Sequence, residues 1–359
     1  MNTKNLYIDV HILQTVPPAN LNRDDTGSPK TAVYGGATRA RVSSQSWKRA
    51  MRRYFKENGR TIASRTKKVP TLLANKLKEI NANLDNKLAM EKAKAILKVA
   101  SISKFDEKND TKVLLAVSPG QVEKLAYYAS EHEDLDKKEV KKLLQDENTL
   151  DLALFGRMVA DDPELNVEAA SQVAHAISTN EIVPEFDYYT AIDDLKNNDN
   201  AGASMLGDIE YNSSTLYRYA NINVKELIAD LGKEDALGGV ADFIQSFALS
   251  MPTGKQNTFA NKTLPNYIMV VIREDTPVNL VSAFEIPVRS QNGYVAKSIK
   301  RLEEEYQNTN QFVEEPVLQI ILEKGTVEGT NHVANLKGLI NKVTEALTEV
   351  VRADENTNS

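Results

Sequence analysis

Residues 39–55 read RARVSSQSWKRAMRRYF, six positive side chains and no negative one, in a 359-residue chain whose net charge is −6. The serines of SSQS open a helix, with Ser43 or Ser44 as its N-cap. At ~100° per residue, Lys48, Arg49, Arg52, Arg53 and Lys56 fall on one arc of that helix. Trp47, Ala50, Met51, Tyr54 and Phe55 fill the other. The apolar arc docks on a sheet and leaves the cations facing outward. The unpaired N–H groups of the first turn, the serine hydroxyls and the nearby Arg39, Arg41 and Lys48 together suit phosphate. Such contacts grip a strand without reading its bases, and a lone helix end follows one strand better than two. Single-stranded RNA is the natural ligand.

Upstream, Leu6, Ile8, Val10 and Ile12 alternate with Tyr7, Asp9 and His11, the period of a half-buried strand. Residues 15–38, rich in Pro, Gly, Asn and Asp, read as a long ordered loop of the functional kind. Downstream, Leu72, Leu73, Leu77 and Ile80, then Leu88, Ala95, Ile96 and Val99, recur at helical spacing within a helical insertion over 61–182. Polar residues 196–215 read as a hairpin, and TLYRYANINV (215–224) alternates like a strand, with Asn223 able to cap the next helix. YIMVVIR (267–273) and VLQIIL (317–322) are further strands, an amphipathic helix covers 333–351, and the tail 353–359 is expected to fray. This order predicts an α+β chain built on a split βαβ sheet of the ferredoxin or RNA-recognition-motif type.

Charge is unevenly spread. Residues 39–68 hold eleven basic residues against one acidic, Glu57, whereas 131–168 hold twelve acidic against five basic. Bulk acidity argues against indiscriminate nucleic-acid binding, and the basic block argues for a placed one. A solvated surface is the ordinary alternative. The chain has no cysteine, which excludes disulfides, thiolate catalysis and cysteine-bound zinc. The N-terminus lacks the pattern of a signal peptide and no apolar run reaches the ~20 residues of a membrane span. A cytoplasmic protein with no membrane partner is expected.

LNRDD (21–25), YGG (34–36), RARVSSQSWKRAMR (39–52), GRM (156–158), AHAIST (174–179), AIDDL (191–195) and YRYANIN (217–223) occur in this order. Together they resemble the CasC family of the RAMP superfamily, the backbone subunits of the type I-E Cascade complex of CRISPR immunity. The resemblance runs from the first strand to at least GKQNTFA (254–260). It implies a palm with an RNA-recognition-like sheet (1–60, 183–195 and 217–352), helical fingers (61–182) and a protruding β-hairpin thumb (196–216). It also implies several copies stacked head to tail along one CRISPR RNA, each thumb displacing a nucleotide and leaving the bases between free to pair with target DNA. Other Cascade subunits and a separately recruited nuclease-helicase are the implied partners, and no cofactor is implied. A head-to-tail contact is heterologous and propagates; one basic end and one acidic insert suit it.

Carried over by position, Arg39, Arg41, Ser43, Ser44, Gln45, Lys48, Arg49 and Arg52 are the first-rank RNA contacts. Arg23 and Lys30 in the preceding loop come next, with Lys255 and Gln256 as further backbone contacts. Met205 and Leu206 fall where the thumb is expected, either as a wedge beside a displaced base or as an apolar anchor of the hairpin. Arg157 and Met158 belong to a motif open between RNA contact and packing.

Signs of catalysis are sparse. The histidines (11, 132, 175, 332) have no metal-binding spacing, and His175 reads as a packing residue. Gly254–Lys255 fails as a P-loop because Leu249 occupies the earlier glycine position. Acidic pairs at Asp24–Asp25, Asp161–Asp162 and Asp193–Asp194 leave a metal-dependent endoribonuclease as the alternative. The family is a non-catalytic scaffold, so Asp24 and Asp25 are expected to order their loop, paired with Arg23 or Arg41.

Overall fold

Alternation at the N-terminus becomes a 13-residue strand, β1 (Tyr7–Ala19). In chain order follow β2 (Thr31–Tyr34), β3 (Ala37–Val42), α1 (Ser44–Glu57), β4 (Ser64–Thr66), α2 (Val69–Ile80), α3 (Asn86–Val99), β5 (Leu115–Val117) and α4 (Pro119–Glu131). Next come α5 (Lys137–Gln145), α6 (Leu150–Phe155), β6 (Ser171–Val173), β7 (Ala176–Ser178), β8 (Glu185–Ala191), β9 (Met205–Asn223), α7 (Val224–Leu231) and α8 (Lys233–Leu249). The chain ends with α9 (Gln256–Phe259), β10 (Tyr267–Arg273), α10 (Val295–Thr309), β11 (Leu318–Glu323) and α11 (Leu336–Asn358). The computed structural model describes residues 5–159, 162–191, 205–325 and 329–358, without the side chains of 191, 205, 206 and 355–358. Within them no helix is long and apolar enough to cross a membrane.

The fold is α+β. Two compact units divide the chain: Met1–Met51, Val173–Asn221 and Ala241–Ser359 form one, Arg52–Gln172 and Ile222–Val240 the other.

The first unit is built on a large sheet in the order β11-β10-β1-β9-β7-β3-β2, with β6 and β8 also pairing with β9. β1 is antiparallel to β10, from Tyr7↔Arg273 to Leu13↔Tyr267. It is antiparallel to β9 too, since Asp9 bonds Tyr219, His11 meets Tyr217 and Asn20 reaches Glu210 as one number rises and the other falls. β9 and β10 are therefore parallel, flank β1 and are joined through α7 and α8, a split βαβ connection. Leu13, Tyr217, Tyr219, Met269 and Val271 pack on that sheet against Phe284 and the α10 residues Ile299 and Leu302. In the second unit α2, α3, α4 and α5 close over Leu73, Leu77, Ile96, Leu125 and Leu144.

Several boundaries depart from the sequence reading. The loop expected over 15–38 shrinks to about 20–30, because β1 runs on to Ala19 and residues 31–42 form a hairpin. Pro17 and Pro18 are tolerated there: β1's ladder with β10 ends at Leu13, so on that side no partner calls for their missing N–H groups. Gly35 and Gly36, both at positive φ, make the tight turn between β2 and β3. A Cβ at Gly35 would stand 1.6 Å from the Glu285 carbonyl oxygen. The hairpin of β8 and β9 takes in Glu185–Ala191, expected in the palm. The tail expected to fray continues α11 to Asn358.

Candidate nucleic-acid interface

α1 is fixed to the sheet of the first unit by one buried cation. The Arg218 guanidinium of β9 lies 3.7 Å from the centre of the Trp47 ring and 4.5 Å from that of Phe247. It donates to Gln14 Oε1 at 2.5 Å and to the Phe247 carbonyl. Burial lowers its pKa to about 9, still charged near neutrality. A desolvated stack of this kind contributes about 2 kcal/mol. Trp47 and Met51 are buried, and the helix turns Gln45 and Arg49 to solvent with Lys48 half-buried.

The start of α1 is held open. Ser43 takes the N-cap position, its carbonyl accepting from Ser46 and Trp47 N–H at 3.0 and 3.2 Å. Its own N–H donates to Asn22 Oδ1 at 2.9 Å, tying the helix to the 20–30 loop. Among the described residues, the N–H groups of Ser44 and Gln45 have no acceptor. Beside them Arg41 donates through Nε to the Thr31 carbonyl (2.9 Å) and through Nη1 to His175 Nδ1 (3.1 Å). Arg41 must be the donor, so His175 carries its proton on Nε2. Partial burial first, then the charges of Arg41 and Lys30, lowers the His175 pKa. The imidazole stays neutral near pH 7 and the two cations carry the charge. A crevice of about 20 Å³, room for one water, is lined by Asn22, Lys30, Arg41, Asn212 and Ser214.

The 20–30 loop orders itself. Asp24 Oδ1 accepts from Thr26 Oγ1 (2.7 Å), Thr26 N–H (2.9 Å) and Ser28 N–H (3.1 Å). The Thr26 hydroxyl is the main cause that lowers the Asp24 pKa. The expected pairing of Asp24 with an arginine is thus replaced by an Asx-type turn. Arg23 is exposed at the loop tip, bridged through its backbone to Pro29. Lys255, in left-handed conformation, precedes α9 close by: a Cβ on Gly254 would lie 2.1 Å from the Leu21 carbonyl oxygen. Only glycine lets that turn, with half-buried Lys255 and exposed Gln256, lie against the loop's base.

Three predicted contacts are withdrawn by the structure. Arg39 is fully buried; Nη1 donates to Ser178 and Thr179 carbonyls at 2.8 and 3.0 Å, Nη2 to Phe284 and Glu285 at 2.8 and 3.1 Å. It crosslinks the first unit, its guanidinium turned inward onto four carbonyls. In the second unit Arg52 Nε pairs with buried Asp151 at 2.7 Å and Nη2 donates to the Ala63 carbonyl at 2.7 Å. Arg157 there is buried, donating to Leu165, Ala116 and Leu144 carbonyls and to Gln121, and burial lowers its pKa to about 10. For Arg157 the choice falls on packing. Met158, next to it, is 81% exposed.

Met205 and Leu206 open β9 opposite Ala191 and Thr190, and their side chains lie outside the described residues, as do Asp161, Asp193 and Asp194. β8 is exposed from Glu185 to Thr190. Phe186 and Tyr188, at alternate positions on one face, are 64% and 66% exposed. Tyr189, on the other face, covers Gly207 across the strand pair. Sequence reasoning passed over Phe186, Tyr188 and Asn22, and read His175 as a packing residue where the structure sets it against Arg41. EFDYY, an aromatic run in a strand with no apolar alternation, was the available signal for the first two.

Residues 8–349 match the family described as CT1975-like protein. A chain of a "CRISPR RNA-guided surveillance complex, pre-nicking" superposes with a TM-score of 0.83 at 30% identity, over 95% of this chain and 99% of that one. A chain of another "CRISPR RNA-guided surveillance complex" does so with a TM-score of 0.73 at 26% identity, with the same coverage. No curated protein matches. The chain is thus similar to subunits of CRISPR RNA-guided surveillance complexes, and it belongs to the CT1975-like protein family.

Proposed function

We propose that this chain is the backbone subunit of a type I-E CRISPR surveillance complex, several copies of which stack head to tail along one CRISPR RNA. The observation that carries this reading is the cluster in the first unit. Lys30, Arg41 and Arg49, the free amides of Ser44 and Gln45, and Arg23 and Lys255 from the adjoining loops belong to one frame built by Asn22 and Gly254. These groups bind phosphate and sugar and carry no base-reading pattern, as a holder of variable guides requires. The split βαβ sheet serves as an RNA-recognition-like palm. The exposed hairpin of β8 and β9 serves as the thumb, reaching a neighbouring copy with Phe186 and Tyr188 available for stacking on a base. Spacer bases are left to pair with target DNA, while other Cascade subunits and a recruited nuclease-helicase supply the rest.

The chain acts without catalysis in this scheme. Asp24, the acidic residue best placed beside the cations, spends its Oδ1 on three loop donors. Two assays test the reading. Affinities of the assembled protein for unrelated RNA sequences are expected to be equal, and affinities that follow sequence would overturn the phosphate grip. Labelled RNA incubated with Mg²⁺ is expected to stay intact; cleavage abolished by Asp24→Ala would establish the endoribonuclease instead.

A further inference from the structure

Asn-Gly occurs twice in the chain, at Asn58–Gly59 and at Asn292–Gly293. Glycine has no side chain to shield its nitrogen, so in this dipeptide the nitrogen reaches the asparagine side-chain carbon wherever the backbone is free to bend. Neither pair serves the guide-holding scheme, and the fold treats the two differently.

Asn58–Gly59 closes α1 and is tied down. Asn58 Nδ2 donates to the Tyr54 carbonyl at 2.8 Å and the Gly59 N–H to the Lys56 carbonyl at 3.2 Å. The next N–H, of Arg60, donates to the Phe55 carbonyl at 2.9 Å. Side-chain amide and attacking nitrogen are both held.

Asn292–Gly293 lies in the turn ahead of α10, with Gln291, Asn292 and Gly293 all exposed. Gly293 sits at a φ of 87°. The Asn292 backbone N–H donates to Ser290 Oγ at 3.2 Å. Among the described residues, the Asn292 side chain and the Gly293 N–H have no partner. The surroundings are cationic: residues 286–302 hold Arg289, Lys297, Lys300 and Arg301 and no acidic residue. Lys297 Nζ folds back over the turn to the Arg289 carbonyl at 2.9 Å. Cations this close favour loss of the Gly293 amide proton. α10 starts with no side-chain cap and no acidic residue in its first turn.

We infer that Asn292 is a site of spontaneous deamidation, a covalent modification that places a carboxylate in this basic turn. The Gly293 nitrogen gives up its proton and attacks Asn292 Cγ. The N–Cγ bond forms, the Cγ–Nδ2 bond breaks, and ammonia leaves with a proton. Water then opens the cyclic imide at either carbonyl, leaving aspartate or isoaspartate. The new charge stands before α10, where the helix dipole and the Arg289 and Lys297 cations favour it. The inference is independent of the guide-holding reading.

The test follows the full-length protein at mildly alkaline pH, folded and in urea, by peptide mapping with mass spectrometry and by isoelectric focusing. Asn58 must first break two hydrogen bonds, about fivefold in rate each, so in the folded protein Asn292 is expected to convert about thirtyfold faster. In urea the two sites are expected to convert at similar rates. Asn292→Gln, whose longer side chain disfavours the ring, is expected to abolish the acidic charge shift. Asn292→Asp is expected to reproduce it without loss of thermal stability. Equal rates at both sites in the folded protein overturn the proposal. So does an Asn292 that stays intact when folded while it converts in urea, or a charge shift that persists in Asn292→Gln.

Discussion

Replacing Arg39 with Met separates a structural arginine from an RNA-binding one. Methionine keeps much of the stem's volume but removes four donors from the carbonyls of Ser178, Thr179, Phe284 and Glu285. A hydrogen bond from a charged donor contributes about 1.5–3 kcal/mol net, and breaking a buried charged network costs about 3–5 kcal/mol. The guanidinium's own desolvation, relieved in the variant, keeps the sum from reaching four full bonds. The expected loss is about 3–5 kcal/mol. At a urea dependence of about 2–3 kcal/mol per M, the midpoint falls by on the order of 1–2 M. The assay is urea unfolding followed by tryptophan fluorescence, which reads Trp47 directly, paired with RNA titration of the folded variant at several salt concentrations. Salt slope and RNA affinity per folded molecule are expected to match the wild type. An unshifted midpoint with a slope lowered by about 0.7 would show Arg39 on a phosphate and refute the burial argument.

Arg49→Gln should do the reverse: stability within about 0.5 kcal/mol of wild type and an RNA salt slope lower by about 0.7, equally for unrelated sequences. Gly254→Ala sets a Cβ 2.1 Å from the Leu21 carbonyl oxygen, so a loss of about 1–3 kcal/mol is expected in thermal unfolding, with weaker RNA binding as the two loops part. Asp9 and His11 make a pH test. Burial holds Asp9 up at about 6, opposed by Tyr219, Val278 and Arg273, and holds His11 down at about 3, with Arg273 adding to it. Unfolded, they titrate near 3.9 and 6.5. Between about pH 4 and 6 folded Asp9 keeps a proton the unfolded chain loses, so its contribution falls as pH rises, while His11, neutral when folded, contributes the opposite slope. Asp9→Asn leaves His11 alone, and the stability from urea unfolding should then climb across that window, by up to about 1.4 kcal/mol per pH unit. A flat profile would mean that His11 does not stay neutral in its pocket.

The faces of α1 were legible because helical periodicity needs only neighbours in sequence. Trp47, Met51 and Phe55 are buried and Arg49 is exposed, as the arcs required. What sequence could not decide was the duty of each arginine. Arg39 and Arg41 are two residues apart in one strand, so their side chains leave on the same side. Arg39 is nonetheless buried under carbonyls from Ser178 and Phe284, 139 and 245 positions away, while Arg41 stops at His175 beside the loop. Arg52 and Arg157 meet the same fate through Asp151 and Leu165. A charge pattern counts cations; it does not show which of them an interior will claim. β9 posed the related problem in the core. Its alternation marked a strand without saying what each face meets: Tyr217 and Tyr219 pack on one side while Arg218 is buried on the other against Trp47.

The most direct test of a guide-bound filament is native mass spectrometry of the chain co-expressed with a CRISPR RNA and its partner subunits. Several copies per RNA are expected, with fewer when the spacer is shortened. One copy per RNA whatever the spacer length would contradict the backbone role.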